Sequence, residues 1–157
     1  MKKIILIGIL GVAGYVGFGI YQILNNNTEP EVSYELRQMV QEWKNQMNKE
    51  NINYSAGFNR IESISISDDY GVVAGQCNPI KRSITISLEQ AKRGYFSTRA
   101  TLWHELGHYV FKLEHDDDPN TIMYYKSLKE TEYKISWDNM KEYYFIKCKD
   151  SEWISRL

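Results

Sequence analysis

Residues 101–125 read TLWHELGHYVFKLEHDDDPNTIMYY, and the rest of the chain is best understood as what holds and feeds this stretch. It contains all three histidines of the 157-residue chain: His104, His108 and His115. The first two frame H-E-x-x-H, with Glu105 directly after His104. On a helix, residues i and i+4 share a face about one turn apart. His104 and His108 can therefore present two imidazoles to one metal ion, zinc above all. Glu105 sits one step round from the pair, where it can reach a water on the metal and take its proton.

His115 lies seven residues beyond His108. On a continuous helix it would share nearly the same face but sit about 10 Å further along the axis. That is too far to join a metal at a bond length of roughly 2.1 Å. The helix must end after about Phe111 and the chain must turn back. The charged run from Glu114 to Asp118, followed by Pro119, fits a loop. Asp116, Asp117 and Asp118 lack the spacing of a calcium loop and read as a solvated turn.

A chain of this length, 43% hydrophobic, implies one domain. Its net charge is −1 and its pI about 6.3, so no strongly basic face points to nucleic acid. Two cysteines, Cys77 and Cys148, permit at most one internal disulfide; pairing and two free thiols both stay open. Lys2 and Lys3 precede residues 4–24, a run without charge and long enough to span a bilayer as a helix. No small-x-small cleavage site follows, so residues 1–24 read as an anchor, with a cleaved signal segment and secretion as the alternative. The two lysines place the N-terminus inside and the rest of the chain outside the cytoplasm.

Residues 25–32 read as a polar linker, and residues 33–157 as the domain. Leu36, Met39, Val40, Trp43 and Met47 follow helical spacing, with Ser33 as a cap. Residues 58–67 alternate as a half-buried strand, most cleanly from Ser63. Residues 72–77 form a second strand and residues 83–88 a third, with Ile84, Ile86 and Leu88 on one face. Ser97 is the expected N-cap of the motif helix, which spans residues 98 to 111 or 112. A last helix is expected from Ser136 to about Lys147. The fold class is therefore α+β: a small twisted sheet packed on a scaffold helix and the motif helix, with a C-terminal helix and an N-terminal membrane-spanning helix.

HELGH, the later His115 and HDDDPNTIMY resemble the metzincin zinc peptidases, the matrixins among them. The metzincin pattern is H-E-x-x-H-x-x-G-x-x-H, followed by a methionine turn below the metal. Ile135-Ser136-Trp137-Asp138 also resembles the start of the matrixins' C-terminal helix. Two departures stand out. Phe111 occupies the family's glycine position, and the spacer is one residue longer. Counted strictly, the third ligand is Glu114; matched by its distance from Met123, it is His115. The added residue is expected to let the chain turn without glycine's positive φ.

The resemblance implies a zinc endopeptidase with His104, His108 and His115 on Zn2+, Glu105 as general base and Met123 in a floor beneath the metal. Met123 is otherwise ordinary core. Tyr125 resembles the tyrosine that approaches the metal in astacins and serralysins, a transition-state contact, or else is a plain surface tyrosine. The implied partner is a protein or peptide substrate; the order of strands makes residues 72–75 the expected sheet edge along which it would lie extended. The membrane is met through residues 4–24. Two alternatives remain: hydrolysis of peptidoglycan peptides, and a zinc-containing binding module without turnover.

Overall fold

Two strands of nearly the same sequence, Ser63-Ile64-Ser65-Ile66-Ser67 and Ser83-Ile84-Thr85-Ile86-Ser87, lie side by side in the computed structural model, which describes residues 29–69 and 73–151. They pair in parallel with Ile64 opposite Ile84 and Ile66 opposite Ile86. The alternation sends the isoleucines to one face, where Ile64, Ile84 and Ile86 are fully buried. Each such burial contributes about 1.5–3 kcal/mol.

In chain order the elements are β1 (Glu31–Val32), a 3-10 turn (Tyr34–Leu36), α1 (Arg37–Lys49), α2 (Ser55–Phe58), β2 (Ser63–Ser67), β3 (Gly75–Asn78), β4 (Ser83–Ser87), α3 (Leu88–Lys92), α4 (Tyr95–Leu106), a π-turn (Gly107–Phe111) and α5 (Glu130–Asp150). The sheet order is β1-β2-β4-β3. β1 and β2 are parallel, as are β2 and β4; β3 runs antiparallel to β4 and closes one edge. α4 packs on β3 and β4 on one side and on α1 and α5 on the other. One hydrogen-bond chain joins the three helices: Trp43 Nε1 donates to Tyr144 Oη at 3.1 Å, and Tyr144 Oη donates to the Trp103 carbonyl at 2.9 Å. All three side chains are buried, so these bonds fix how the helices meet rather than merely filling space.

The expected fold needs correction in its membrane part. Residues 4–24, read as a spanning helix, lie outside the described residues. Among the described residues no helix is long and apolar enough to cross a membrane. The longest, α5, buries Tyr133, Trp137, Met140, Tyr144 and Cys148 and carries charged residues elsewhere. The fold described is α+β, a four-stranded mixed sheet with five α-helices.

Several boundaries also differ. Glu31 and Val32, read as linker, form β1 because Glu31 N–H donates to Glu62 O and Ser33 N–H to Ile64 O, both at 2.9 Å. Phe58 ends a short helix instead of opening a strand, and is 1% exposed. Leu88 begins α3, with the Ser87 hydroxyl capping Gln90 N–H at 3.1 Å, so it leaves the isoleucine face. Ser33 stands before the 3-10 turn without a side-chain cap bond, and neither Ser97 nor Ser136 serves as an N-cap. α4 starts at Tyr95, and the Glu130 carboxylate accepts from Phe96 N–H at 3.0 Å and Ser97 N–H at 2.6 Å. α5 starts six positions before Ser136, where Glu132 accepts from Lys129 N–H at 2.6 Å. A carboxylate at a helix N-terminus satisfies orphan N–H groups and meets the positive end of the helix dipole.

Candidate metal centre and cleft

The HELGH segment straddles a change of helix type. His104 and Glu105 sit in the last turn of α4, while Gly107 and His108 open the π-turn. A π-turn holds one residue more than an α-turn, so it takes up the extra residue of the spacer. The turn ends at Lys112, whose φ of +58° is left-handed. The expectation that positive φ could be avoided is thus corrected: the left-handed position moves one residue past Phe111 and falls on a lysine. The N–H groups of Lys112 and Leu113 both close on the Gly107 carbonyl.

That turn orients His108. The Leu113 carbonyl meets His108 Nδ1 at 2.5 Å, and the Ile122 carbonyl meets His104 Nδ1 at 2.8 Å. A carbonyl only accepts, so both Nδ1 atoms carry the proton and both Nε2 atoms present lone pairs. His104 Nε2 lies 2.9 Å from His108 Nε2 and 3.2 Å from His115 Nε2. Two nitrogens bound tetrahedrally at about 2.1 Å stand roughly 3.4 Å apart. Lone pairs facing each other at this distance repel unless a cation lies among them. The group His104, His108 and His115, with ligand atoms all within 4.8 Å of one another, could hold a metal ion. Burial lowers both helix imidazoles, His104 to about 4 despite its Ile122 carbonyl, and so favours the neutral form a metal takes. Glu114 is exposed and outside this group.

Glu105 lines the same cleft as His104 and His115, lies against the sheet edge at Gly75, and is 7% exposed. Burial pushes its carboxyl up to about 7, against the pull of the Cys77 N–H and thiol. The edge strand comes this close because of Gly75. A Cβ there would stand 2.7 Å from Thr101 Cγ2 and 3.2 Å from Glu105 Oε1. Gly107 plays the same part below the histidines, where a Cβ would stand 2.7 Å from Met123 Sδ. Met123 is fully buried there, under the π-turn. Neither glycine was singled out in the sequence; a glycine inside a strand pattern is the signal that could have marked Gly75.

The loop bearing His115 is tied on both sides. Asp116 N–H donates to Met123 O at 2.8 Å, Tyr125 N–H donates to Asp116 O at 3.3 Å, and Lys147 pairs with Asp116 Oδ2 at 2.7 Å. Beside the histidines opens a cleft of about 200 Å³, lined among others by Gly75, His104, Glu105, His115 and Tyr125. Tyr125 is half exposed, its ring edge-on to Tyr124. Val72 lies outside the described residues; Val73 and Ala74 line the cleft just before β3 begins. Cys77 and Cys148 are both free, one on the edge strand beside Glu105 and one sunk in the core face of α5.

No protein-family model, curated protein or solved structure matches the chain.

Proposed function

We propose that the chain is a zinc-dependent endopeptidase of metzincin-like, specifically matrixin-like, design. The observation that carries this reading is three imidazole nitrogens within 4.8 Å of one another at a cleft that His104 and His115 line together with Glu105, a buried carboxyl from the residue next to His104. Three nitrogens suit zinc and leave a position for water or substrate. Zinc held by His104, His108 and His115 would supply Lewis acidity toward a carbonyl and a water.

The rest of the chemistry belongs to the chain. Glu105, with a carboxyl pKa of about 7, can hold a proton taken from water and return it to the leaving amine near neutral pH. Its burial favours such a proton carrier over a merely structural acid, which would be cheaper to leave in water. His104 and His108 keep their orientation through the carbonyls of Ile122 and Leu113. β3 is an edge strand beside the cleft, so an extended peptide can add to it by backbone hydrogen bonds.

The test is Glu105→Gln, which keeps size and polarity but cannot take the proton. Zinc content should stay at about one per chain, while cleavage of a mixed peptide digest falls by roughly 10² or more. Cleavage at the wild-type rate, or cleavage untouched by a chelator, sinks the reading.

A further inference from the structure

Away from the histidines the cleft ends on a wall made by the segment after Met123 and the start of α5. Lys126, Ser127 and Tyr133 line it. Behind them lies Gln90, 1% exposed, whose amide nitrogen reaches Ser127 Oγ at 3.2 Å, Thr101 Oγ1 at 2.9 Å and Ser97 O at 3.2 Å. Thr101 is satisfied in both roles, since its hydroxyl also donates to Ser97 O at 3.1 Å. Ser127 is solvent-exposed, and its O–H donates to Gln90 Oε1 at 3.4 Å. Tyr133, 6% exposed, accepts from Leu128 N–H at 3.1 Å and shares a hydrogen bond with the Ser127 hydroxyl. Lys126 adds an ammonium, 4.9 Å from the Tyr125 ring centroid.

The charge on this wall is that of Lys126, with the Ser127 hydroxyl beside it. Lys126 is also the only lysine or arginine among the residues lining the cleft. We infer that this wall selects a carboxylate on the substrate, held by the Lys126 ammonium and the Ser127 hydroxyl next to the bond being cleaved. A carboxylate accepts up to about four hydrogen bonds and carries the matching charge. The inference rests on the peptidase reading. The carboxylate has two possible sources, an acidic side chain or a free chain end.

The experiment uses the full zinc-loaded chain. Wild type locates a cleaved bond in a peptide mixture, and Glu105→Gln then reports binding by calorimetry without turnover. Three amidated peptides carry Glu, Gln or Leu after that bond; a fourth ends at the Leu with a free carboxylate. The Glu peptide, or the free-ended one, should bind roughly two- to fivefold tighter than the Gln and amidated Leu peptides, the worth of one solvent-reached ion pair. Which of the two wins names the source. Adding Lys126→Ala should erase the preference with zinc content unchanged. Equal binding of all four peptides, or a preference that survives Lys126→Ala, overturns the inference. A wild type that cleaves nothing sinks the peptidase reading instead.

Discussion

His104 and Glu105 leave a regular α-helix, whereas His115 leaves a loop whose shape depends on partners far away in the chain. The first pair is placed by the backbone ladder of α4, a local device that any helical sequence of this length provides. His115 is placed by the π-turn, the left-handed Lys112, the pairing of Asp116 with the Met123–Tyr125 backbone and the Lys147 ion pair. His108 belongs to both, since it stands in the π-turn and takes its orientation from Leu113. The lesson is that a cluster of three imidazoles inherits its weakest support. Its geometry is only as firm as the loop that brings the third imidazole back.

The largest effects should come from the ligands. His104→Ala or His108→Ala should abolish zinc uptake as read by metal analysis, because each removes a donor and leaves two. His115→Ala should weaken competitive zinc affinity by roughly 10² or more, while Glu114→Ala changes it little. A greater loss in Glu114→Ala would reverse the assignment of the third ligand.

Next comes the packing beneath the π-turn. A Cβ at Gly57 would stand 2.7 Å from Val110 Cγ1 and 2.8 Å from the Val110 carbonyl. Backbone cannot step aside as a side-chain tip can. Gly57→Ala should therefore cost about 1–3 kcal/mol in denaturant unfolding and loosen zinc through the displaced turn. Wild-type stability in this variant would mean that the turn has slack.

The loop clamp is weaker. Lys147→Ala removes the ion pair to Asp116 and should cost about 0.2–1 kcal/mol, as for other solvent-reached pairs. Its sharper readout is zinc release, expected to quicken severalfold as the His115 loop frees itself. An unchanged release rate would assign the loop's order to the Met123 pairing alone. Smallest of all is Lys112→Gly. A non-glycine residue in left-handed backbone costs about 1–2 kcal/mol, partly offset by glycine's greater freedom when unfolded. A gain of about 0.5 kcal/mol is expected, whereas Lys112→Val should lose stability. A loss in Lys112→Gly would show that the lysine side chain, which donates to Tyr109 O at 2.9 Å, outweighs its backbone strain.

Much of the fold was open to reading because it is written in short periods. The alternating isoleucines of β2 and β4 and the 3-4 spacing of Leu36, Val40, Trp43 and Met47 in and before α1 are local patterns with local causes. Where the reading failed, the deciding group came from elsewhere. Ser97 looked like a cap because its type suits one, yet Glu130 on another helix took the role and left the Ser97 hydroxyl buried without a partner. Glu31 and Val32 carry no strand signal of their own; they are a strand because β2 offers them its free edge. Gly75 and Gly107 looked unremarkable until Glu105 and Met123 were found where their side chains would be.

The sequence by itself determined that His104 and His108 would lie about one turn apart on the same side, because residues four apart fall on one face once the chain turns helically; that α4 stops at Leu106 and leaves His108 to the π-turn was not in it. It also required that the chain turn back after Phe111 if His115 was to join them. Only the tertiary structure decided that the turn is a π-turn closed by Lys112, that His115 rather than Glu114 faces the other imidazoles, and that Glu105 lies against β3. Those choices are made by contacts between Asp116 and Lys147, between Gly107 and Met123, and between Gly75 and Glu105. No short window of sequence contains both partners of any of the three.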